Sequence, residues 1–175
     1  MWRVKKSKIH GTGIFATKDI PKGTEIIQYI GDKVTKKEGD RRSSKLLKKS
    51  YGKPSVGSVY IFELNKKYDI DGSPLYNKAR YINHSCKPNC EVNIKKNQIW
   101  IKSIKKIKQF EELSYDYGYE FDKDDYKDHI CKCNSKNCIG YIISSDDWYK
   151  FLNHIEKLVK RGQKTVSYTH LTLPT

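Results

Sequence analysis

Long apolar runs and arginine are both scarce in this chain of 175 residues. No stretch of about 18 apolar residues occurs, and the first residues are charged where a signal peptide would be apolar, so neither a membrane helix nor a secretory leader is expected. Arginine occurs only at positions 3, 41, 42, 80 and 161. The chain therefore has few guanidinium groups that could bind phosphate through two hydrogen bonds. We expect a soluble intracellular protein without membrane association, cytoplasmic in a microbe and nuclear in a eukaryote.

Lysine is abundant instead and gives the chain a formal net charge of +15. Such a charge attracts polyanions diffusely and predicts weak association with nucleic acid as an accessory property. Eight acidic residues nevertheless fall between positions 111 and 128. They form either a solvated loop or an acidic rim at which a basic peptide docks, and both interpretations stay open.

Short strands are predicted for the first two-thirds of the chain and a helix for its end. Apolar β-branched and aromatic runs mark strands at residues 25–30, 58–64, 91–94 and 98–104, with a hairpin connection at 95–97. Residues 35–50 allow one exposed helix, although Gly39 counts against it. Ser144 and Asp147 resemble a capping box, and apolar residues from Trp148 to Val159 share one helical face. We expect that face to pack on the body of the domain.

All five cysteines lie in two short segments, residues 86–90 and 131–138. A Cys-x-Cys pair is too tightly spaced to form an easy disulfide with itself. In a reducing compartment, this clustering favours a metal site over cystine.

Three further motifs follow one another along the chain. Residues 10–16 read His-Gly-Thr-Gly-Ile-Phe-Ala, residues 80–86 read Arg-Tyr-Ile-Asn-His-Ser-Cys, and residues 112–117 read Glu-Leu-Ser-Tyr-Asp-Tyr. Taken singly, each has an ordinary interpretation: a glycine turn, an Asn-His pair satisfied in a core, and an amphipathic strand. All three in this order are much harder to explain as separate structural features.

Together with residues 29–32 and the second cysteine segment, these motifs resemble a SET-domain protein-lysine methyltransferase with a post-SET zinc site. The resemblance covers residues 3–143. The chain departs from the family at Asp32, where Glu is usual, and at Tyr81, where Phe is common. A cysteine-rich pre-SET segment and a long insertion between Tyr51 and Tyr60 are missing. The chain is therefore interpreted as a compact member with a less defined substrate groove.

The resemblance implies a mostly β SET fold with short helices. Small sheets surround a knot-like active-site substructure, in which residues 112–117 pass the segment 83–86, and a post-SET zinc site and a C-terminal α-helix follow. We expect the SET catalytic domain at residues 1–121, the post-SET zinc segment at 128–143 and the helix at 144–165. Residues 166–175 resemble a translated sequencing adapter and are predicted to be a non-native tail.

The same resemblance implies the site residues and two cofactors, S-adenosylmethionine as methyl donor and Zn²⁺ as structural metal. Tyr117 is implied to be the catalytic tyrosine, with Tyr29 and Tyr115 beside the substrate nitrogen. The residues implied to surround the methyl donor are His10, Gly11, Thr12, Gly13, Tyr60, Arg80, Tyr81, Asn83, His84, Tyr117 and Ile143. The implied zinc ligands are Cys86, Cys131, Cys133 and Cys138. The zinc is implied to hold the following residues, up to Ile143, against the cofactor. Cys90 is left without a role as a ligand.

Methyl transfer needs a neutral lysine, whereas free lysine has a pKa of about 10.4. A narrow apolar channel and a neighbouring sulfonium both lower that pKa, so no dedicated base is required and Asp116 is expected to be structural. By the family resemblance, the Tyr115 hydroxyl limits the product mainly to monomethyl-lysine. The expected substrate is a lysine-containing basic protein: a histone or histone-like protein, or a ribosomal protein. The alternative is a catalytically silent SET-fold module that binds basic tails or nucleic acid.

Overall fold

The computed structural model describes residues 1–50 and 60–162, of which residues 47–50 are described by their backbone alone. The predicted tail at 166–175 and the first two residues of the predicted strand 58–64 lie outside this part. The chain divides into two compact units, here called unit 1 (Met1–Asn83 and Asn89–Ser114) and unit 2 (His84–Pro88 and Tyr115–Thr175). Within the described residues, no helix is both long enough and apolar enough to cross a membrane.

Small antiparallel sheets build unit 1. Their strands are β1 (Trp2–Lys6), β2 (Thr12–Ala16), β3 (Glu25–Tyr29), β4 (Asp32–Thr35), β5 (Ile61–Glu63), β6 (Tyr68–Asp71), β8 (Cys90–Lys95) and β9 (Gln98–Ser103). One sheet pairs β1 with β2, a second has the strand order β3-β9-β8, and a third has the order β4-β6-β5.

The hairpin between β8 and β9 confirms the predicted connection at residues 95–97. Lys96 and Asn97 both have positive φ, at 51° and 56°, which is the backbone of a tight hairpin turn that matches the twist of its strands. Along β9, Ile99 and Ile101 alternate with more exposed residues and are fully buried. This alternation fixes which face of the sheet enters the core.

Helix α1 (Lys36–Ser50) confirms the helix predicted at 35–50, and polar contacts hold it to β6. Arg42 Nη1 lies 2.6 Å from Asp71 Oδ2, and Lys36 Nζ lies 2.6 Å from Asp69 Oδ1. A Cβ at Gly39 would lie 2.5 Å from the Asp69 carboxylate. Gly39 is therefore compatible with the helix because it permits this close approach.

Unit 2 is built around helix α2 (Trp148–Lys160), whose residues Phe151 and Ile155 are buried within this unit. Its buried core comprises Cys86, Tyr126, Ile139, Ile143, Phe151 and Ile155. Val159 is 55% exposed and does not belong to the buried face. The predicted capping box is wrong in its partner: Ser144 Oγ accepts from Asp146 N, whereas Asp147 accepts from the backbone N–H of Phe121 at 2.9 Å.

Two further strands, β7 (Asn83–His84) and β10 (Ser114–Tyr115), pair with each other. Each contributes its first residue to unit 1 and its second to unit 2. Strands of two residues carry no periodic pattern, which is why the sequence did not delimit them. The described elements confirm the predicted fold class, which is mostly short strands with few helices and a helix at the C-terminal end.

Candidate functional site

The glycine loop of residues 10–13 depends on two glycines for different reasons. Gly11 has φ +47°, a left-handed conformation, and its carbonyl accepts from Ser7 N at 2.9 Å. Gly13 lies where an added Cβ would come within 2.3 Å of Glu112 Oε1. The first glycine therefore makes the turn, and the second lets a carboxylate lie directly against the backbone.

Glu112 and Asn83 fasten this loop. Glu112 Oε1 accepts from Ser7 Oγ at 2.7 Å and from Asn83 Nδ2 at 2.8 Å. The same Asn83 amide also lies within hydrogen-bond distance of the carbonyls of His10 and Thr12. The sequence pattern gave Glu112 no role of its own, because Ser7 lies 105 positions away along the chain.

Tyr29 is buried in unit 1, and its hydroxyl has a defined partner. It donates to the carbonyl of Tyr60 at 2.9 Å, and its ring lies 4.6 Å from that of Phe62. A Cβ at Gly72 would lie 2.2 Å from the Tyr29 ring. Gly72 thus leaves the space in which the ring lies.

Arg80 presents a buried donor. Its guanidinium carbon lies 4.2 Å from the ring centroid of Tyr60 and 5.6 Å from that of Tyr81, and its Nη1 donates to the carbonyl of Ser73. Its Nε is buried and finds no acceptor among residues 1–50 and 60–162. Because an unsatisfied buried donor is destabilising by about 1–3 kcal/mol, this atom fits a bound group that carries an acceptor such as a carboxylate.

In unit 2, His84 lies between a backbone amide and a thiol. Tyr117 N donates to His84 Nδ1 at 3.2 Å, and His84 Nε2 lies 3.6 Å from Cys86 Sγ. Because Nδ1 accepts, the ring proton belongs on Nε2, facing the sulfur. Burial lowers the pKa of His84, although the nearby Asp116 carboxylate acts in the opposite direction. The lowered pKa favours the neutral ring. Asn83 and His84 therefore do not satisfy each other.

Three tyrosine rings and His84 form a continuous aromatic group in unit 2. The Tyr117 ring lies 5.0 Å from Tyr115, 6.0 Å from Tyr119 and 5.4 Å from His84, measured between centroids. The Asp116 carboxylate instead accepts from Gly118 N at 2.9 Å and from Ser145 N at 2.8 Å. Its bonds to these backbone donors are those of a residue that stabilises a turn.

The four cysteines Cys86, Cys131, Cys133 and Cys138 come together although they are distant in sequence. Their sulfur atoms all lie within 4.8 Å of one another. Cys86 Sγ is 3.8 Å from both Cys131 Sγ and Cys138 Sγ, and a tetrahedral ion with bonds of about 2.3 Å to sulfur requires sulfur pairs about 3.8 Å apart. Hydrogen bonding among these thiols raises the pKa of Cys86 and lowers that of Cys133. The group therefore fits a zinc ion.

Cys90 belongs to unit 1 and has a different environment. Its side chain is 1% exposed, its thiol lies 3.4 Å from Asn89 Oδ1, and burial raises its pKa to about 12. It is not part of the four-cysteine group found among the described residues.

The predicted site residues are divided between the units. Unit 1 contains His10, Gly11, Thr12, Gly13, Tyr29, Tyr60, Arg80, Tyr81 and Asn83, and unit 2 contains His84, Cys86, Tyr115, Tyr117, Cys131, Cys133, Cys138 and Ile143. Ile143 is 1% exposed, and its carbonyl accepts from Trp148 Nε1 at 3.2 Å.

Comparison with known proteins adds a family and several relatives. A family model described as SET domain matches residues 11–118. Histone-lysine N-methyltransferase 2D of Homo sapiens is 38% identical over 137 residues, which cover 76% of this chain and 2% of that protein. Two proteins named "Histone-lysine N-methyltransferase, H3 lysine-4 specific" are each 35% identical. The one from Aspergillus oryzae matches over 144 residues (80% of this chain, 11% of that protein). The one from Saccharomyces cerevisiae matches over 141 residues (78% and 13%). The chain thus spans a small part of each relative.

Proposed function

Because the chain belongs to the SET-domain family, we propose that it transfers methyl groups from S-adenosylmethionine to lysine side chains of a histone. The observation that carries the proposal is the similarity to proteins named histone-lysine N-methyltransferases, at 35–38% identity over at least three-quarters of this chain. Since the chain spans only 2–13% of those proteins, its activity and substrate are inferred from the shared segment.

Donors and backbone groups of unit 1 support the choice of methyl donor. S-adenosylmethionine carries an amino-acid carboxylate, for which the buried Nε of Arg80 is a matching donor. The loop around Gly11 and Gly13 allows close approach of the backbone to a ligand, and Asn83 and Glu112 hold that loop in place. When bound, the sulfonium supplies an activated methyl group.

The protein's own contribution is to present lysine as a neutral, aligned amine. At a pKa of about 10.4, only roughly one free lysine in 2,500 is neutral near pH 7. An apolar channel disfavours the ammonium and so raises the neutral fraction. We assign to the Tyr117 hydroxyl the task of orienting the amine, with the proton leaving through water. Alignment of this kind reaches effective molarities of about 10⁵ M or more. We assign Asp116 a structural role and not that of a base, because each of its carboxylate oxygens accepts a hydrogen bond from a backbone N–H.

Zinc is the second cofactor in this proposal, with Cys86, Cys131, Cys133 and Cys138 as ligands. Four thiolates form a closed, structural site rather than a catalytic one. The sulfur spacing of 3.8 Å supports this assignment, as does the Nε2–H of His84, which faces Cys86 Sγ and would stabilise its negative charge. We expect about one zinc ion per chain. Ile143 belongs to the same buried core as Cys86, and we propose it as a further residue of the methyl-donor site.

A histone tail suits the acidic surface of unit 2. Glu120, Asp122, Asp124, Asp125 and Asp128 are all exposed, whereas Glu111, Glu112 and Asp116 are half-buried. The exposed five provide a rim that attracts a basic peptide. A histone substrate would also place the activity in the nucleus of a eukaryotic cell.

Monomethyl-lysine is the proposed main product, and this part rests on Tyr115. Its side chain is 6% exposed and lies beside Tyr117, with 5.0 Å between ring centroids. A hydroxyl at this place occupies volume and binds the amine or a water, which limits the room for a second methyl group.

The test is incubation of the purified chain with labelled S-adenosylmethionine and recombinant histones, followed by mass spectrometry of the modified lysines. Lysine 4 of histone H3 is the first position to inspect, since it appears in the names of two relatives. Tyr117→Phe should bind the methyl donor as the unmodified chain does but lose turnover by about a hundredfold or more.

Tyr119→Phe is the matched control, because this ring belongs to the same aromatic group but is not assigned to the amine. It should retain turnover. Undiminished turnover in Tyr117→Phe would remove that residue from the mechanism. If the chain binds S-adenosylmethionine or histone tails but modifies no histone lysine, the catalytically silent binding module becomes the better description.

A further inference from the structure

Phe110 combines an unfavourable backbone with an exposed ring. Its φ is +70°, in the left-handed region, and its side chain is 61% exposed. A bulky residue is rarely found at such a φ, because its Cβ crowds the backbone where glycine would not. The Phe110 ring is too exposed for its burial to offset the energetic cost of this backbone conformation. Strained residues of this kind concentrate at functional sites.

The surroundings of Phe110 fix its backbone and bring cations to its ring. Its N–H donates to the carbonyl of Ala16 at 2.9 Å, which attaches it to the end of β2. The guanidinium carbon of Arg3 lies 5.7 Å from the Phe110 ring centroid, and Lys5 Nζ lies 5.5 Å from the centroid of Phe15. Arg3, Lys5, Phe15 and Phe110 form what we call the Phe110 patch, two rings with one cation beside each.

The patch belongs to a strongly basic unit. Unit 1 carries 25 Lys and Arg against 11 Asp and Glu, whereas unit 2 carries 10 against 9. The acidic residues close to Phe110 in sequence already have partners: Glu111 accepts from Asn89 Nδ2 and Lys108 N, and Glu112 accepts from Ser7 and Asn83. Those partners are neutral and leave both carboxylates charged, but Glu111 and Glu112 are half-buried. The surplus of Lys and Arg in unit 1 is therefore what favours an anionic ligand.

We propose that the Phe110 patch binds single-stranded nucleic acid. Bases stack on the exposed ring of Phe110 and on the half-exposed ring of Phe15, while Arg3 and Lys5 contact the phosphates. Aromatic rings interleaved with cations are the combination that recognises a single strand. A duplex hides the faces of its bases, and an acidic peptide has no π-face to stack on an exposed phenyl ring.

The experiment is fluorescence anisotropy of the full chain with labelled 12-nucleotide oligo-dT and oligo-U, at two salt concentrations. Phe110→Gly should weaken binding roughly five- to 150-fold, the effect of losing one stacked base. Glycine accepts the positive φ, so the variant should unfold at no lower temperature than the unmodified chain. Methylation of a histone peptide should be unchanged, because no patch residue belongs to the proposed catalytic set.

Two matched controls separate a patch from diffuse attraction. Tyr76→Ala removes another exposed aromatic residue of unit 1, 57% exposed, and should leave binding unchanged. Arg3→Ala and the exposed Lys66→Ala each remove one charge, and Arg3→Ala should weaken binding more. The proposal is overturned if Phe110→Gly weakens binding no more than Tyr76→Ala, or if Arg3→Ala weakens it no more than Lys66→Ala. It is also overturned if duplex DNA or a poly-glutamate peptide binds as tightly as the single strands. The DNA and RNA arms show which single strand is preferred.

Discussion

Replacement of Gly13 by alanine is expected to destabilise unit 1 through a single carboxylate. The new Cβ would lie 2.3 Å from Glu112 Oε1, far inside van der Waals contact, so the carboxylate has to move by about 1 Å. That shift breaks the hydrogen bonds from Ser7 Oγ at 2.7 Å and Asn83 Nδ2 at 2.8 Å. Hydrogen bonds to a charged group are each worth about 1.5–3 kcal/mol, so Gly13→Ala should lower the free energy of unfolding by about 3 kcal/mol.

Gly11→Ala provides the comparison within the same loop. Gly11 has φ +47° and nothing within 4 Å of an added Cβ, so only the backbone preference is lost, which costs about 1–2 kcal/mol. Urea unfolding of both variants measures the difference. Because the loop is proposed to hold the methyl donor, Gly13→Ala should also weaken S-adenosylmethionine binding in calorimetry.

A double-mutant cycle with Glu112→Ala tests the cause directly. Without the carboxylate, Gly13→Ala should cost less than about 1 kcal/mol, and the two single effects should not add. The reasoning fails if Gly13→Ala is no more destabilising than Gly11→Ala, or if its penalty persists when Glu112 is absent.

Three further predictions concern metal, product and pH. Cys133→Ser should reduce bound zinc, measured by mass spectrometry of the metal, and abolish methyl transfer, whereas Cys90→Ser should do neither; full activity in a zinc-free preparation would contradict this. Tyr115→Phe should shift the products toward dimethyl- and trimethyl-lysine, and trimethyl-lysine as the main early product of the unmodified chain would refute the argument. Burial opposes ionisation of Asp71, but its hydrogen bonds, chiefly from Arg42, lower its pKa. Ionised Asp71 therefore contributes its full stabilisation of the fold above about pH 4. That stabilisation is lost as the pH falls through the lowered pKa of the folded state. Urea unfolding between pH 2.5 and 6 should show a shallower acid decline for Arg42→Met, which removes the ion pairs of Arg42 with both Asp71 and Glu38. An identical decline would count against both ion pairs.

Local sequence patterns were sufficient to predict the elements whose formation depends on residues close together in the chain. The hairpin at residues 95–97 depends on adjacent residues that tolerate positive φ, and helix α2 depends on apolar residues three or four positions apart. The motif residues themselves indicated the family, since their order along the chain is a property of the sequence. Cys90 could be separated from the other cysteines by resemblance, and its burial in unit 1 agrees.

Contacts between distant segments were decided by the tertiary structure alone. Glu112 meets Ser7 across 105 positions, and Cys86 meets Cys131 and Cys138 across 45 and 52 positions. Such contacts follow from strand register and packing, which no window of neighbouring residues contains. The unsatisfied Nε of Arg80 and the positive φ of Phe110 are also invisible in sequence, because hydrogen-bond satisfaction and backbone strain are defined only once every neighbour has its position. The sequence by itself thus determined which chemical groups the protein possesses, and the fold determined which of them lie close enough to act together.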